Sequence, residues 1–160
     1  VATIAMLLFA AATQGYFLAA NKAWESAALL LCRFSLAGVF WRAGRSKIES
    51  GTWLTISDGT RFLFEHEYTG VPLPSELSLY LATYSEHIFP ILLIIGLATR
   101  FAALALLGMT MTIQLFVYPD AWWTVHSLWA ATSLILLTAG AGMFSVDAFI
   151  RRFRHKPARG

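Results

Sequence analysis

The chain has little of what a water-facing surface requires. Charged side chains make up 13% of its 160 residues while apolar ones reach 58%, where an ordinary soluble domain carries about 25% charged residues. Too few Lys, Glu and Asp remain to coat a soluble globule. A single cysteine, Cys32, rules out an internal disulfide and any Cys-based metal cluster supplied by this chain alone. No metal site is read from the sequence. There is no phosphate-cradling glycine loop, zinc-helix motif or nucleophile elbow, so no catalytic apparatus is recognisable. Haem ligation by two histidines would have only His87 and His126 to draw on within the helices. The net charge of +3 sits in one short tail and is no nucleic-acid footprint. These absences leave an integral membrane protein, with the lipid bilayer as its first partner.

Hydropathy then divides the chain. A helix needs about 20 mostly apolar residues to cross the hydrocarbon core. Ala27–Arg45, Leu77–Ala98, Phe101–Tyr118 and His126–Phe144 answer that description. Val1–Ala20 is a fifth, uncharged segment. Its Ala10-Ala11-Ala12 resembles a cleavage region, but it lacks the positive residues that open a secretory signal, so it reads as an extra helix. The fold class expected is an all-α membrane protein: an antiparallel four-helix transmembrane bundle with an additional N-terminal hydrophobic helix. Residues 1–26 form that helix and a short connection at Asn21–Ser26, 27–149 the bundle with an outer loop at 46–76, and 150–160 a basic tail. Thr99-Arg100 is expected to join the third and fourth helices, and Pro119–Val125 to lead into the last.

Lys and Arg set orientation. Arg151, Arg152, Arg154, Lys156 and Arg159 place the C-terminus of this multi-pass protein in the cytoplasm. Tracing back puts the loop 46–76 outside, in agreement with its Glu49, Asp58, Glu65, Glu67 and Glu76. Arg42, Arg45 and Lys47, at the outer end of a span, oppose the rule and imply partners. In the loop, Ser57-Asp58 caps a short helix through Thr60–Glu67, which Val71-Pro72-Leu73-Pro74 ends. Trp122 and Trp123 read as interface anchors.

The stretch SEHIFPILLIIGLATR, residues 85–100, places an acid and an imidazole deep in a span. A charge at the bilayer centre costs about 2.5–3.5 kcal/mol on insertion scales. Glu86 must therefore face the bundle, be protonated or pair with a base. Arg42 is close in depth, roughly 22 Å above the inner helix end against roughly 18 Å for Glu86. Ser35, Gly38, Arg42 and Arg45 share one helical face, with Arg33 opposite beside Ala37, Phe40 and Gly44. An Arg42–Glu86 pair is the expectation. Pro90 cannot donate to the Glu86 carbonyl, freeing it at the same level. The buried polar candidates are Arg33, Arg42, Glu86, His87, Gln114 and His126. Against the functional reading stands a bland one: a buried ion pair can merely fix helix register, His87 can be a packed side chain, and His126 can cap a helix. Met109 and Met111, two apart, face different ways and read as core or lipid contacts.

Three stretches together resemble the DoxX family of small bacterial membrane proteins. They are LLLCRFSLAGVFWRAGRSKI at 29–48, the acid-bearing helix SEHIFPILLIIGLATR followed by FAALALL, and GAGMFSVDA at 140–148. FLFEHEYTGVPLP is similar to one branch of that family. The resemblance implies a four-helix inner-membrane bundle, with Arg33, Glu86, Ser145 and Asp147 at featured positions. It also implies company: one kind of member is a small subunit of thiosulfate:quinone oxidoreductase, others belong to membrane complexes that handle oxidative and thiol stress, and some are encoded beside copper-responsive peptide systems. Many members carry a histidine beside the Gly–x–x–Lys of the first helix; here Arg42 and Ala43 precede Gly44.

Two readings follow. The first, preferred because the chain carries no electron carrier of its own, is a non-catalytic subunit or scaffold that recruits a protein partner into a redox or metal-stress complex. The other is a quinone-binding subunit of an oxidoreductase, with Glu86 and Arg42 or His87 at the quinone carbonyl. A dry, fully paired Arg–Glu contact favours the first, and a charged pocket open to lipid with Phe89 and Trp41 nearby favours the second. No cofactor is called for by a recognisable motif, and quinone is the one the second reading requires.

Overall fold

The computed structural model describes residues 2–154, so Lys156 and Arg159 of the basic tail lie outside the described residues. Its elements are α1 (Ala2–Ser46), α2 (Asp58–His66), α3 (Ser75–Ile95), α4 (Thr99–Phe116), α5 (Ser127–Ala139) and α6 (Val146–Arg154). A 3-10 turn at Pro119–Ala121 and a π-helical turn at Trp122–His126 lead into α5. Among the described residues extended pairing is limited to one antiparallel bridge, Ile48 with Ile56.

Two expected boundaries move. The connection at Asn21–Ser26 does not form, and α1 runs through it as one helix. Asn21-Lys22-Ala23-Trp24-Glu25 contains neither Gly nor Pro, and nothing in it breaks the backbone ladder. The turn between α3 and α4 lies at residues 96–98, one step before Thr99-Arg100. Gly96 takes the left-handed conformation (φ 69°) and its N–H reaches Leu93 O, while Leu97 N–H reaches Leu92 O. That is a Schellman-type stop, open to glycine because it has no Cβ to clash.

Ala20–Ser46, Ser75–Ile95 and Thr99–Phe116 are long and apolar enough to cross a membrane. The expected last span is shorter than its hydropathy run: α5 stops at Ala139 because Gly140 turns to φ 83° and Gly142 to φ 75°. Together with the π turn, helical backbone still covers Trp122–Ala139 without a break.

α1, α3, α4 and α5 form a ring in which α1 touches α3 and α5, and α4 touches the same two from the other side. The core between them is Leu29, Leu36, Ala37, Phe40, Leu93, Ala102, Ala103, Leu106 and Leu136. The small residues of α4 let it approach closely, as helix pairs in lipid require. Leu31, Phe34, Ile88, Leu104 and Leu128 point outward, each at least half exposed, onto what lipid would cover. The loop 46–76 folds over one end, with Phe64 of α2 and Leu79 of α3 making a second small core with Ile56. Ser57 caps α2 as the sequence indicates, its Oγ accepting from Thr60 N–H at 3.2 Å.

Candidate functional site

The polar residues read from the sequence do not gather in one place. Arg33 lies at the α6 end of the bundle and is fully buried, 1% exposed. It donates to Leu93 O (2.6 Å) and Ile94 O (2.6 Å) at the end of α3, and to Ala141 O (3.1 Å) and Phe144 O (2.7 Å) beyond α5. The last carbonyls of a helix lack intrahelical partners and carry partial negative charge, and a guanidinium fork answers both needs. Asp147 works the other side of the same turn, accepting from Ala98 N–H (2.9 Å) and Thr99 N–H (3.0 Å) at the start of α4. Ser145 caps α6 through Ala148 N–H at 3.1 Å. These groups fasten helix ends together, and each has its bonds.

At the opposite end the expected Arg42–Glu86 pair does not form. Arg42 is exposed, on the face of α1 with Phe34, Ser35 and Gly38, while Arg33, Leu36, Ala37, Phe40 and Gly44 face the bundle. The small-and-basic stripe is thus the outer one. Arg33 could sit on the apolar inner face because α3 and the 141–144 segment supply carbonyls there. The partner of Glu86 is Lys47, the first residue after α1. The chain turns at Lys47 N–H to Gly44 O (3.1 Å), and the side chain folds back over the helix end to Ala43 O at 3.3 Å. Its Nζ lies 2.9 Å from Glu86 Oε1 and 2.7 Å from Oε2, with 12% and 3% of the two side chains exposed. Only the Oε1 contact has hydrogen-bond geometry, so Oε2 is ion-paired yet still open to a donor.

This pair lines a cavity of about 270 Å³ between α3 and α4 beneath the outer loop. One stripe of α3 supplies Ser78, Ala82, Ser85, Glu86 and Phe89, and α4 faces it with Ala105, Met109 and Thr112. Phe64, Tyr68 and Val71 roof it from the loop. Ser78 Oγ is buried with no hydrogen-bond partner. Burial pushes the Tyr68 hydroxyl well above its usual range, keeping it a neutral donor. Tyr118 Oη donates to Glu67 Oε2 at 2.9 Å, and a Cβ on Gly70 would come within 2.6 Å of Phe116 O, so the loop is seated tightly on the end of α4. Leu81 in the cavity wall is half exposed, so that wall borders the outside of the bundle.

The remaining candidates lie elsewhere. His87, one residue on from Glu86, turns toward α1. Its Nδ1–H donates to Thr83 O at 2.7 Å, because a carbonyl can only accept, and its ring meets Trp41 edge-on at 5.3 Å. A Cβ at Gly44 would stand 2.8 Å from His87 Cε1, so that glycine makes the room. His87 Nε2 and Thr83 Oγ1 are buried without partners. Gln114 and His126 fasten the α4–α5 connection: His126 Nδ1 bonds Gln114 Oε1 at 2.8 Å, and Gln114 Nε2 donates to Pro119 O at 2.6 Å. No group of three or more His, Cys, Asp or Glu among the described residues is arranged to hold a metal.

Sequence reasoning named Lys47 only as a cation in need of a partner, and passed over Ser78 and Tyr68. Lys47 gave a signal, as a cation on the wrong side of the charge rule. Ser78 and Tyr68 gave none, since their place depends on how the loop folds back.

Long apolar helices in a ring, outward aliphatic side chains and buried charges held within the bundle define an all-helical, multi-pass membrane protein. The comparisons give its kin. The DoxX family model matches residues 28–119, more than half of the chain. A curated relative, an uncharacterized protein of Haemophilus influenzae, is 35% identical over 140 residues, covering 78% of this chain and 83% of its own. The chain belongs to the DoxX family. A domain of unknown function (DUF3394) also matches residues 1–42. No solved structure matches.

Proposed function

We propose that this protein is a quinone-binding subunit of a membrane redox complex, with the α3–α4 cavity as its binding site. The observation that carries this reading is the placement of a buried, incompletely satisfied ion pair in the wall of an apolar cavity that borders the outside of the bundle. A lipid-soluble molecule with a flat ring and carbonyl oxygens suits such walls. Phe89, Phe64 and Met109 offer apolar contact, while Ser78 and Tyr68 hydroxyls and Lys47 Nζ are donors on the lining. Glu86 Oε2, lacking a hydrogen-bond partner, can accept from a ring hydroxyl. When bound, a quinone supplies two-electron, two-proton carriage. Lys47 and Glu86 would orient it and hold protons at the carboxylate and ammonium, and the roof excludes bulk water. No electron carrier is recognisable in the chain, so the complex includes a partner that exchanges electrons with the site. The basic C-terminal segment supports a cytoplasmic C-terminus in an inner membrane, with the cavity toward the outer side.

The scaffold reading draws on one specific observation: the Lys47–Glu86 pair is closed, as a purely structural contact would be. Quinone content of protein purified gently from its own membranes separates the two. Stoichiometric quinone in the wild type, lost in Glu86→Gln with the fold and elution profile retained, supports a quinone site. A partner protein retained in both forms with no quinone in either overturns it in favour of the scaffold.

A further inference from the structure

The α6 end of the molecule has a recess that the fastening of helix ends does not use. A hollow of about 410 Å³ opens between the α3–α4 turn, the end of α5 and α6, lined by Thr99, Arg100, Phe101, Gly140, Ile150 and Arg151 among others. Arg100 is held across its mouth by one bond, from Nη2 to Thr138 O at 2.9 Å. Gly140, at φ 83°, lies beneath that guanidinium, where a Cβ would reach 3.4 Å from Nε. Arg151 is exposed, and neither arginine has an ion pair among the described residues. Asp147 also borders the hollow, but its two oxygens already accept the Ala98 and Thr99 N–H groups.

The surroundings are apolar in a matching way. α6 carries Val146, Phe149, Ile150 and Phe153 at helical spacing, all substantially exposed. Such a stripe opposite arginines is the pattern of a helix lying in the membrane interface. Phe101, 62% exposed, and Leu104, 53% exposed, continue the apolar surface from the hollow along α4 into the span.

We propose that this recess binds the headgroup of an anionic phospholipid, with Arg100 and Arg151 flanking the phosphate and the acyl chains running along Phe101 and Leu104. Two cations beside a strip of lipid-facing apolar side chains fit a molecule that is anionic at one end and apolar along its length. A soluble anion would use the arginines and leave the strip unused.

The test uses the full chain in neutral detergent, titrated with short-chain phosphatidylglycerol, phosphatidylcholine of the same chain length, or inorganic phosphate, with the unfolding temperature as readout. Saturable stabilisation by phosphatidylglycerol alone is expected. Each arginine near a charged lipid surface is worth about 1 kcal/mol, so R151Q weakens binding roughly fivefold and R100Q/R151Q roughly twenty-five-fold. R152Q, whose side chain borders a different hollow beside Ser145 and Phe149, leaves it unchanged. Equal binding of phosphatidylcholine, or a loss in R152Q as large as in R151Q, overturns the site. Equal stabilisation by inorganic phosphate makes it a free-anion site and overturns the lipid. Should R100Q/R151Q fail to fold, R151Q decides, because Arg151 makes no hydrogen bond or ion pair within the described residues.

Discussion

Arg33, inside the membrane-spanning stretch of α1, and Lys47, just past its end, both turn a positive charge into the bundle against α3. Arg33 is surrounded by backbone carbonyls from two separate stretches of chain, the end of α3 and residues 141–144. Lys47 meets one carboxylate and one carbonyl, beside open volume. The first arrangement spends four of the guanidinium's five N–H groups on the fold. The second leaves a carboxylate oxygen and a neighbouring hydroxyl wanting partners. Buried charge alone therefore does not mark a functional site in a membrane bundle; the proposed site rests on the bonds left unmade beside a cavity.

Breaking the saturated end has the larger effect. Arg33→Met leaves four carbonyls, two buried and two part-buried, without their donor at up to about 1–3 kcal/mol each, a sum comparable to the about 5–15 kcal/mol that holds a typical domain together. No monodisperse protein should survive detergent extraction, and size-exclusion chromatography checks this. A folded Arg33→Met with near-normal unfolding would show that those carbonyls find water instead, and the contrast between the two ends would collapse. Lys47→Met leaves Glu86 buried without its base, a loss of about 3–5 kcal/mol for a pair broken on one side. Lys47→Met with Glu86→Gln should regain most of it, as read by unfolding in mixed micelles. Gly96→Ala forces a side chain into a left-handed turn and sets its Cβ 2.5 Å from Ser145 Cβ, with backbone strain alone of about 1–3 kcal/mol. Arg42→Met sharpens the comparison from below: an exposed cation with no partner among the described residues should shift stability by less than about 0.5 kcal/mol. A loss comparable to that of Lys47→Met would restore Arg42 as the base for Glu86.

Much of the fold was legible because lipid imposes a simple code. Apolar runs, the proline-ended surface helix and the Ser57 cap each follow from local chemistry. The phase of α1 was not legible from polarity. A stripe of Ser35, Gly38 and Arg42 looks like an interior face in lipid, yet here Leu36, Ala37 and Phe40 fill the ring and Arg33 joins them on backbone carbonyls no sequence pattern displays. Glu86 was identifiable as a buried acid needing a base. Its partner was not, because Lys47 lies past the helix end, where periodicity no longer predicts direction. The cavity itself depends on Gly70 and Tyr68 bringing the loop down, a long-range arrangement without a local signature.

The Arg33 clamp also has a consequence in time. The carbonyls that receive this side chain are 60, 61, 108 and 111 residues further along the chain. At synthesis rates of about 5–20 residues per second, the guanidinium waits on the order of 10 s between its own emergence and that of its last partner. During that interval it must stay at the membrane surface or in the company of the insertion machinery. Seating Arg33 is therefore a late step of biogenesis, closing the bundle only once the segment after α5 has arrived.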